Sequence, residues 1–168
     1  MQKLKPEAGL EIRIGIAEYG VCKAPGILIT LALGSCMGVS LFDRVTGIGG
    51  MVHVMLPDSK LFNGPIIRSK FADTAIPLLL EEVLKLGASK KRLEAKIAGG
   101  AQMFKSQSNS SLLNIGERNT FMCRKVLNEL QIRITGMDTG GHIGRTMILD
   151  CGQAKTFVRT YGKITQEI

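Results

Sequence analysis

The sequence has no tryptophan, and its aromatic residues amount to only 5%. It has no RNP-like aromatic run, which removes a common platform for stacking unpaired bases. Five prolines stand against twenty glycines, so many tight turns in an ordered chain are expected. No apolar run reaches the roughly 18 residues of a membrane span, because glycine or a polar residue breaks each one. The opening MQKLKPEAGLEIRIG has no apolar h-region, so no signal peptide is expected. The four cysteines, Cys22, Cys36, Cys123 and Cys151, form no CxxC pair. That argues against a zinc ribbon or a thioredoxin-type centre. Reduced thiols and a cytoplasmic location are the resulting expectation.

What is present suits one domain. The chain has 168 residues, 45% of them hydrophobic, enough for a packed core. Its net charge is +8. A basic surface favours an acidic partner, although scattered Lys and Arg also describe an ordinary solvated surface.

Residues 1–9 read as a loose arm. Leu10, Ile12, Ile14 and Ile16 alternate with polar residues, the period of a half-buried strand. Ile27–Leu33 is a continuous apolar run, which predicts a strand buried on both faces. Met37–Phe42 and Ile48–Leu56 predict two more strands, joined by a hairpin turn over Asp43–Gly47. Helical spacing covers Ser69–Leu86, with Gly87 as a stop and Pro77 expected to kink the helix or shift its start. Leu93–Ala98 reads as a strand, and 102–113 as a polar surface loop. Asn114, with Glu117 three residues on, predicts a capped second helix whose buried stripe is Met122, Val126 and Leu130. Ile132–Thr135, Thr146–Asp150 and Thr156–Val158 finish as strands. The fold class is α+β: a single-domain layered α/β sandwich with helices on a largely antiparallel mixed sheet.

The chemistry concentrates in GILITLALGSCMGVSLFDRVTGIGGMVHVMLP, residues 26–57. A two-residue or a four-residue hairpin loop gives the same register, and that register sets Cys36 directly across from His53. Cross-strand neighbours have Cβ atoms about 4.5–5.5 Å apart, so a thiol would lie beside an imidazole. A base there can hold the nucleophilic thiolate. Gly34-Ser35 allows a sharp turn whose backbone N–H groups could stabilise an oxyanion. Thr30, the only hydroxyl in its run, is a candidate to orient the imidazole. Against this, a lone Cys is usually a small buried hydrophobe, the reading taken for Cys22, Cys123 and Cys151. A histidine in an apolar run is more often a satisfied core residue than a base.

LGSCMGVSLFDRVTGIGGMVHVMLPDS closely resembles the active-site stretch of the CheD family of chemoreceptor glutamine deamidases. The resemblance continues through KFADTAIPLLLEEVLKLGASK, IAGGAQMF, NIGERN and DTGGHIGR. It implies a fold like the catalytic domain of the cytotoxic necrotizing factor toxins. It implies Cys36 as nucleophile, His53 as general base and Thr30 as its orienting residue, with no metal or organic cofactor. His142 has no role by this pattern and reads as a surface or loop residue. The implied reaction is hydrolysis of glutamine side chains on the cytoplasmic bundle of chemoreceptors, and glutamyl methyl esters suit the same chemistry. The resemblance also implies a CheC-type phosphatase as regulatory partner, and a mainly regulatory binding role is the alternative. Nucleic-acid binding through net charge is a weaker reading. Met103 and Phe104 stand out as an interface anchor or the edge of the core.

Overall fold

The interruption at Gly34-Ser35-Cys36 is a corner between two sheets. The computed structural model describes residues 9–103, 114–163 and 165–168. The expected N-terminal arm, most of the 102–113 loop and Phe104 lie outside them. One five-stranded sheet runs β1 (Glu11–Ile14), β3 (Ile27–Leu33), β8 (Arg145–Asp150), β9 (Lys155–Thr160) and β10 (Gln166–Glu167). The other runs β2 (Tyr19–Lys23), β5 (Ile48–Val54), β4 (Met37–Asp43), β6 (Leu93–Gly99) and β7 (Arg133–Thr139). Among the strand pairs of the described residues, β1–β3 and β6–β7 are parallel and the others antiparallel. The α+β class and the largely antiparallel pairing hold, but the expected single sheet is two. β3 and β4 follow each other in sequence and lie in different sheets, and apolar alternation does not say which sheet a strand joins.

The second sheet is the middle layer. Residues 37, 39 and 41 of β4 pack with the helices α1 (Ala72–Lys85) and α2 (Ile115–Glu129). Phe42 of β4 and Met51 of β5 pack with Leu28, Met147 and Leu149 of the first sheet. Both faces of β4 and β5 are therefore buried along their whole length. Two glycines let the layers close: a Cβ at Gly50 would lie 2.7 Å from Val83 Cγ1 of α1. One at Gly49 would lie 2.6 Å from the sulfur of Cys151 on the opposite side. Such contacts cannot be relieved in a close-packed interior without moving a layer.

Several boundaries differ from the sequence reading. β3 is buried on one face only, with Leu31 45% exposed and Ala32 in the left-handed region at φ 57°. It takes the outer layer, not the middle one. β2 was not foreseen, because YGVCK shows no clean alternation. α1 begins at Ala72 and runs through Pro77, with Ser69 left in a 3₁₀ turn over Arg68–Lys70. Gly87, at φ 108°, ends it, and Ala88 N–H donates to the Val83 carbonyl. α2 is capped as expected: Asn114 Oδ1 accepts from Glu117 N–H at 3.1 Å, and Asn114 Nδ2 donates to the Glu117 carboxylate at 2.8 Å.

Candidate active site

The β4–β5 register is two residues away from the sequence expectation. Asp43 pairs with Ile48, so His53 faces Gly38, not Cys36. The cause lies in the hairpin. Buried Asp43 accepts from Val45 N–H (3.0 Å), Ser89 N–H (2.9 Å) and the Arg92 guanidinium (3.0 and 2.8 Å). Gly47, at φ 68°, donates to the Asp43 carbonyl at 2.9 Å. The loop therefore holds four residues, 44–47, and the ladder starts one rung later on β5 and one later on β4. A shift of two keeps every side chain on its face. His53 still points between the sheets, and Cys36 stands just beyond the last rung, Met37–Val54.

His53 is fully buried. Its N–H donates to the Glu18 carbonyl and its carbonyl accepts from Ala17 N–H, both at 3.0 Å, so the β1–β2 connection fixes its backbone. Thr30 comes from the facing sheet, also fully buried. Its hydroxyl donates to the Ile14 carbonyl at 2.8 Å, and its oxygen lies 2.7 Å from His53 Nδ1. A hydroxyl has one hydrogen. With that hydrogen on Ile14, Thr30 Oγ1 accepts from Nδ1–H. The proton is thereby set on Nδ1 and the lone pair on Nε2. Nε2 has no hydrogen-bond partner among the described residues. Gly38 makes room for this contact, since a Cβ there would sit 2.8 Å from Met147 Sδ and 3.4 Å from the Thr30 methyl.

The Gly34-Ser35-Cys36 turn is held by its carbonyls. Gly34 O accepts from Ala101 N–H at 2.8 Å, Ser35 O from Asn119 Nδ2 at 2.9 Å, and Cys36 O from Gly100 N–H at 2.9 Å. Gly99 has φ 113°, and a Cβ on it would fall on the Cys36 carbonyl oxygen. Only glycine fits that conformation and that approach. Gly99→Ala is expected to destabilise the fold by at least ~2 kcal/mol, from backbone strain plus collision. Gly140→Ala is the control: its φ is also positive, at 80°, but nothing lies within 4 Å. Urea unfolding separates the two, and equal losses would show that strain alone, without the Cys36 contact, sets the cost.

Cys36 is half-buried. Burial pushes its thiol pKa above the ordinary value, while its own backbone N–H, directed at the sulfur, pulls the other way. Burial holds the His53 imidazole down at about 4. The two groups at neutral pH are thus a thiol and a neutral imidazole, not the thiolate that the sequence reading expects. Cys22, Cys123 and Cys151 are buried apolar residues, as expected. The sulfurs of Cys22 and Cys151, far apart in sequence, lie 3.5 Å apart across the two sheets. His142 is an exposed loop residue with Nδ1 3.0 Å from the Gln102 carbonyl. It borders a cleft of about 1080 Å³ between α2 and the 139–142 loop, lined by neither Cys36 nor His53.

Sequence reasoning missed Asn119. It is fully buried on α2, and its Nδ2 donates both to Ser35 O and to Met55 O (3.0 Å). The available signal was an asparagine, a poor helix former, on the same stripe as Cys123 and Val126.

The family described as CheD chemotactic sensory transduction matches residues 55–160. A protein of Moorella thermoacetica is 50% identical over 161 residues, covering 95% of each chain. One of Desulforamulus reducens is 49% identical over 152 residues, covering 90% of this chain and 92% of its own. The chain belongs to the CheD family. Another CheD relative, from Clostridium kluyveri, is 46% identical over 158 residues, covering 94% of this chain and 98% of its own. Each of the three carries the name "Probable chemoreceptor glutamine deamidase CheD". The family match begins two residues after His53, whereas these CheD relatives align with nine-tenths or more of the chain. Among the described residues, no helix of this CheD chain is long and apolar enough to cross a membrane.

Proposed function

We propose that this chain hydrolyses the side-chain amide of glutamines on the cytoplasmic domains of chemoreceptors. The observation that carries the reading is the Thr30–His53 contact, which leaves a buried imidazole whose Nε2 has no hydrogen-bond partner among the described residues. A core histidine kept for packing would have both nitrogens paired.

The steps follow from that arrangement. Cys36 Sγ attacks the glutamine amide carbon as Nε2 takes the thiol proton. The tetrahedral oxyanion forms beside the Gly34-Ser35-Cys36 turn, whose carbonyls are tied inward; Gly34 N–H is taken by the Ala32 carbonyl at 3.0 Å, so Ser35 N–H is the donor proposed to receive it. The imidazolium gives its proton to the departing ammonia, leaving a glutamyl thioester on Cys36. Nε2 then deprotonates a water, which attacks the thioester. Glutamate is released and the proton returns to sulfur. The reaction consumes one water and yields one ammonia, and the same thioester forms from a glutamyl methyl ester with methanol leaving. A net charge of +8 suits an acidic helical substrate.

Mass spectrometry of a receptor cytoplasmic fragment after incubation tests the proposal. Conversion of specific glutamines to glutamate is expected, and an unchanged fragment after long incubation at high protein concentration would overturn it. Binding of a CheC-type phosphatase is a second reading. Met103, 46% exposed, is placed so that its side chain would meet a Cβ on Gly34 at 3.0 Å, and a partner seated there would cover the nucleophile turn. In that case adding the phosphatase slows both deamidation and Cys36 alkylation.

A further inference from the structure

Where the β4–β5 ladder ends, a side chain from a helix replaces the next rung. The last pair is Met37–Val54. Continued by one residue, the ladder would join Cys36 to Met55, but neither lies in a strand. Here Asn119 reaches in from α2. One amide hydrogen goes to the carbonyl of Ser35, the residue before Cys36. The other goes to the carbonyl of Met55, two residues after His53. A single planar carboxamide therefore spans the strand that carries the base and the turn that carries the nucleophile.

A second observation marks this place as unusual. Three buried side-chain polar atoms have no hydrogen-bond partner among the described residues: Thr46 Oγ1, His53 Nε2 and Asn119 Oδ1. Two of the three belong to groups flanking Cys36. An unpaired buried acceptor costs on the order of 1–3 kcal/mol. A residue kept only for helix packing would avoid that cost with leucine or methionine. Asparagine is what supplies two divergent N–H donors from one rigid plane.

Building on the amidohydrolase reading above, we infer that Asn119 is a positioning residue. It sets the spacing of Cys36 Sγ from His53 Nε2 by tying Ser35 to Met55. It touches neither the substrate nor the reacting atoms. Its loss lets the turn and the strand end drift apart, and a displacement of about 1 Å is enough to cost roughly a hundredfold in rate.

The test is a double-mutant cycle on Cys36 alkylation by iodoacetamide at pH 6, with Cys36 labelling followed by peptide mass. Wild type, Asn119→Ala, His53→Ala and the double variant are compared, with circular dichroism to confirm folding. Asn119→Ala is expected to slow alkylation roughly tenfold to a hundredfold. In the His53→Ala background the same change should alter the rate less than twofold, because the spacing it sets no longer matters. An equal loss in both backgrounds, or no loss in wild type, overturns the inference. Should Asn119→Ala fail to fold, Asn119→Asp keeps the shape. As a carboxylate it donates to neither carbonyl; protonated, it donates to one. Its alkylation rate relative to wild type should therefore rise as pH falls from 7 to 5, and a flat ratio counts against the inference. On the receptor fragment, Asn119→Ala should lower kcat by the same factor and leave KM within twofold. If wild type converts no glutamine, the deamidase reading fails while the alkylation cycle still judges Asn119.

Discussion

Cys36→Ala is expected to abolish glutamine conversion, a loss of at least ~10³-fold, with the fold intact. The substitution removes the atom that would form the thioester. Cys36 is half-buried at a corner, outside both hydrophobic clusters' fully buried sets, so truncation there leaves no large cavity. Cys36→Ser should be nearly as inactive, since His53 must then activate an alcohol. The other three thiols make the specificity control. Cys123 lies on the buried face of α2, where burial pushes its thiol up to about 12, which disfavours the thiolate at neutral pH. Cys123→Ala should lose stability and keep turnover, as should Cys22→Ala and Cys151→Ala. Thermal melts and receptor conversion on the same four preparations decide the matter. A fully active Cys36→Ala protein would sink the nucleophile assignment, and a dead Cys123→Ala protein with a normal melt would move it.

The second large effect is in the pH dependence of Cys36 alkylation. In wild type the rate should be nearly constant from about pH 5 to pH 8, then rise. The sign follows from the two groups. The imidazole is neutral above about 4, and the thiol is protonated until pH exceeds its raised value. Between those limits the pair holds one proton. The reactive form, thiolate beside imidazolium, holds the same one proton, so its small population does not change with pH. His53→Ala removes the internal acceptor. The sulfur must then lose its proton to solvent, and the rate should fall tenfold for each pH unit below the thiol pKa. At pH 6 the wild-type protein should react faster than His53→Ala, and the ratio should grow as the pH falls toward 5. Parallel slopes in the two proteins would count against any coupling of His53 to Cys36. Thr30→Val should lie between them, because it frees the tautomer without removing the imidazole.

How much of this was legible in the sequence depends on whether the information was local. Period-two alternation and apolar runs located most strands, and Asn114 with Glu117 located the start of α2. Thr30 was found because it is the one hydroxyl in an apolar run, and the structure sets it against His53. The face of Cys36 and His53 came out right although their pairing did not, since a two-residue shift conserves faces. The hairpin register was lost because Asp43 captures Ser89 and Arg92, more than forty residues away, and no local pattern announces that. The split into two sheets was lost for a similar reason: β3 pairs with β8, far along the chain. The Gly99–Cys36 approach and the Asn119 bridge are tertiary contacts between separate motifs.

The bond between Thr30 and His53 also has a consequence for the order in which the protein is made. His53 belongs to the sheet of β2, β4, β5, β6 and β7, and Thr30 to the sheet closed by β8 and β9. Thr30 itself pairs with Met147 across β3 and β8. A chain still on the ribosome has Cys36, His53 and Thr30 outside the exit long before residues 145–160 are translated, at ~5–20 residues per second. Until β8 and β9 arrive, β3 has only β1 beside it in its sheet, and the pairing of Thr30 with Met147 is missing. The nascent polypeptide therefore carries Cys36, His53 and Thr30 well before β8 and β9, the strands that complete the sheet around Thr30, have docked.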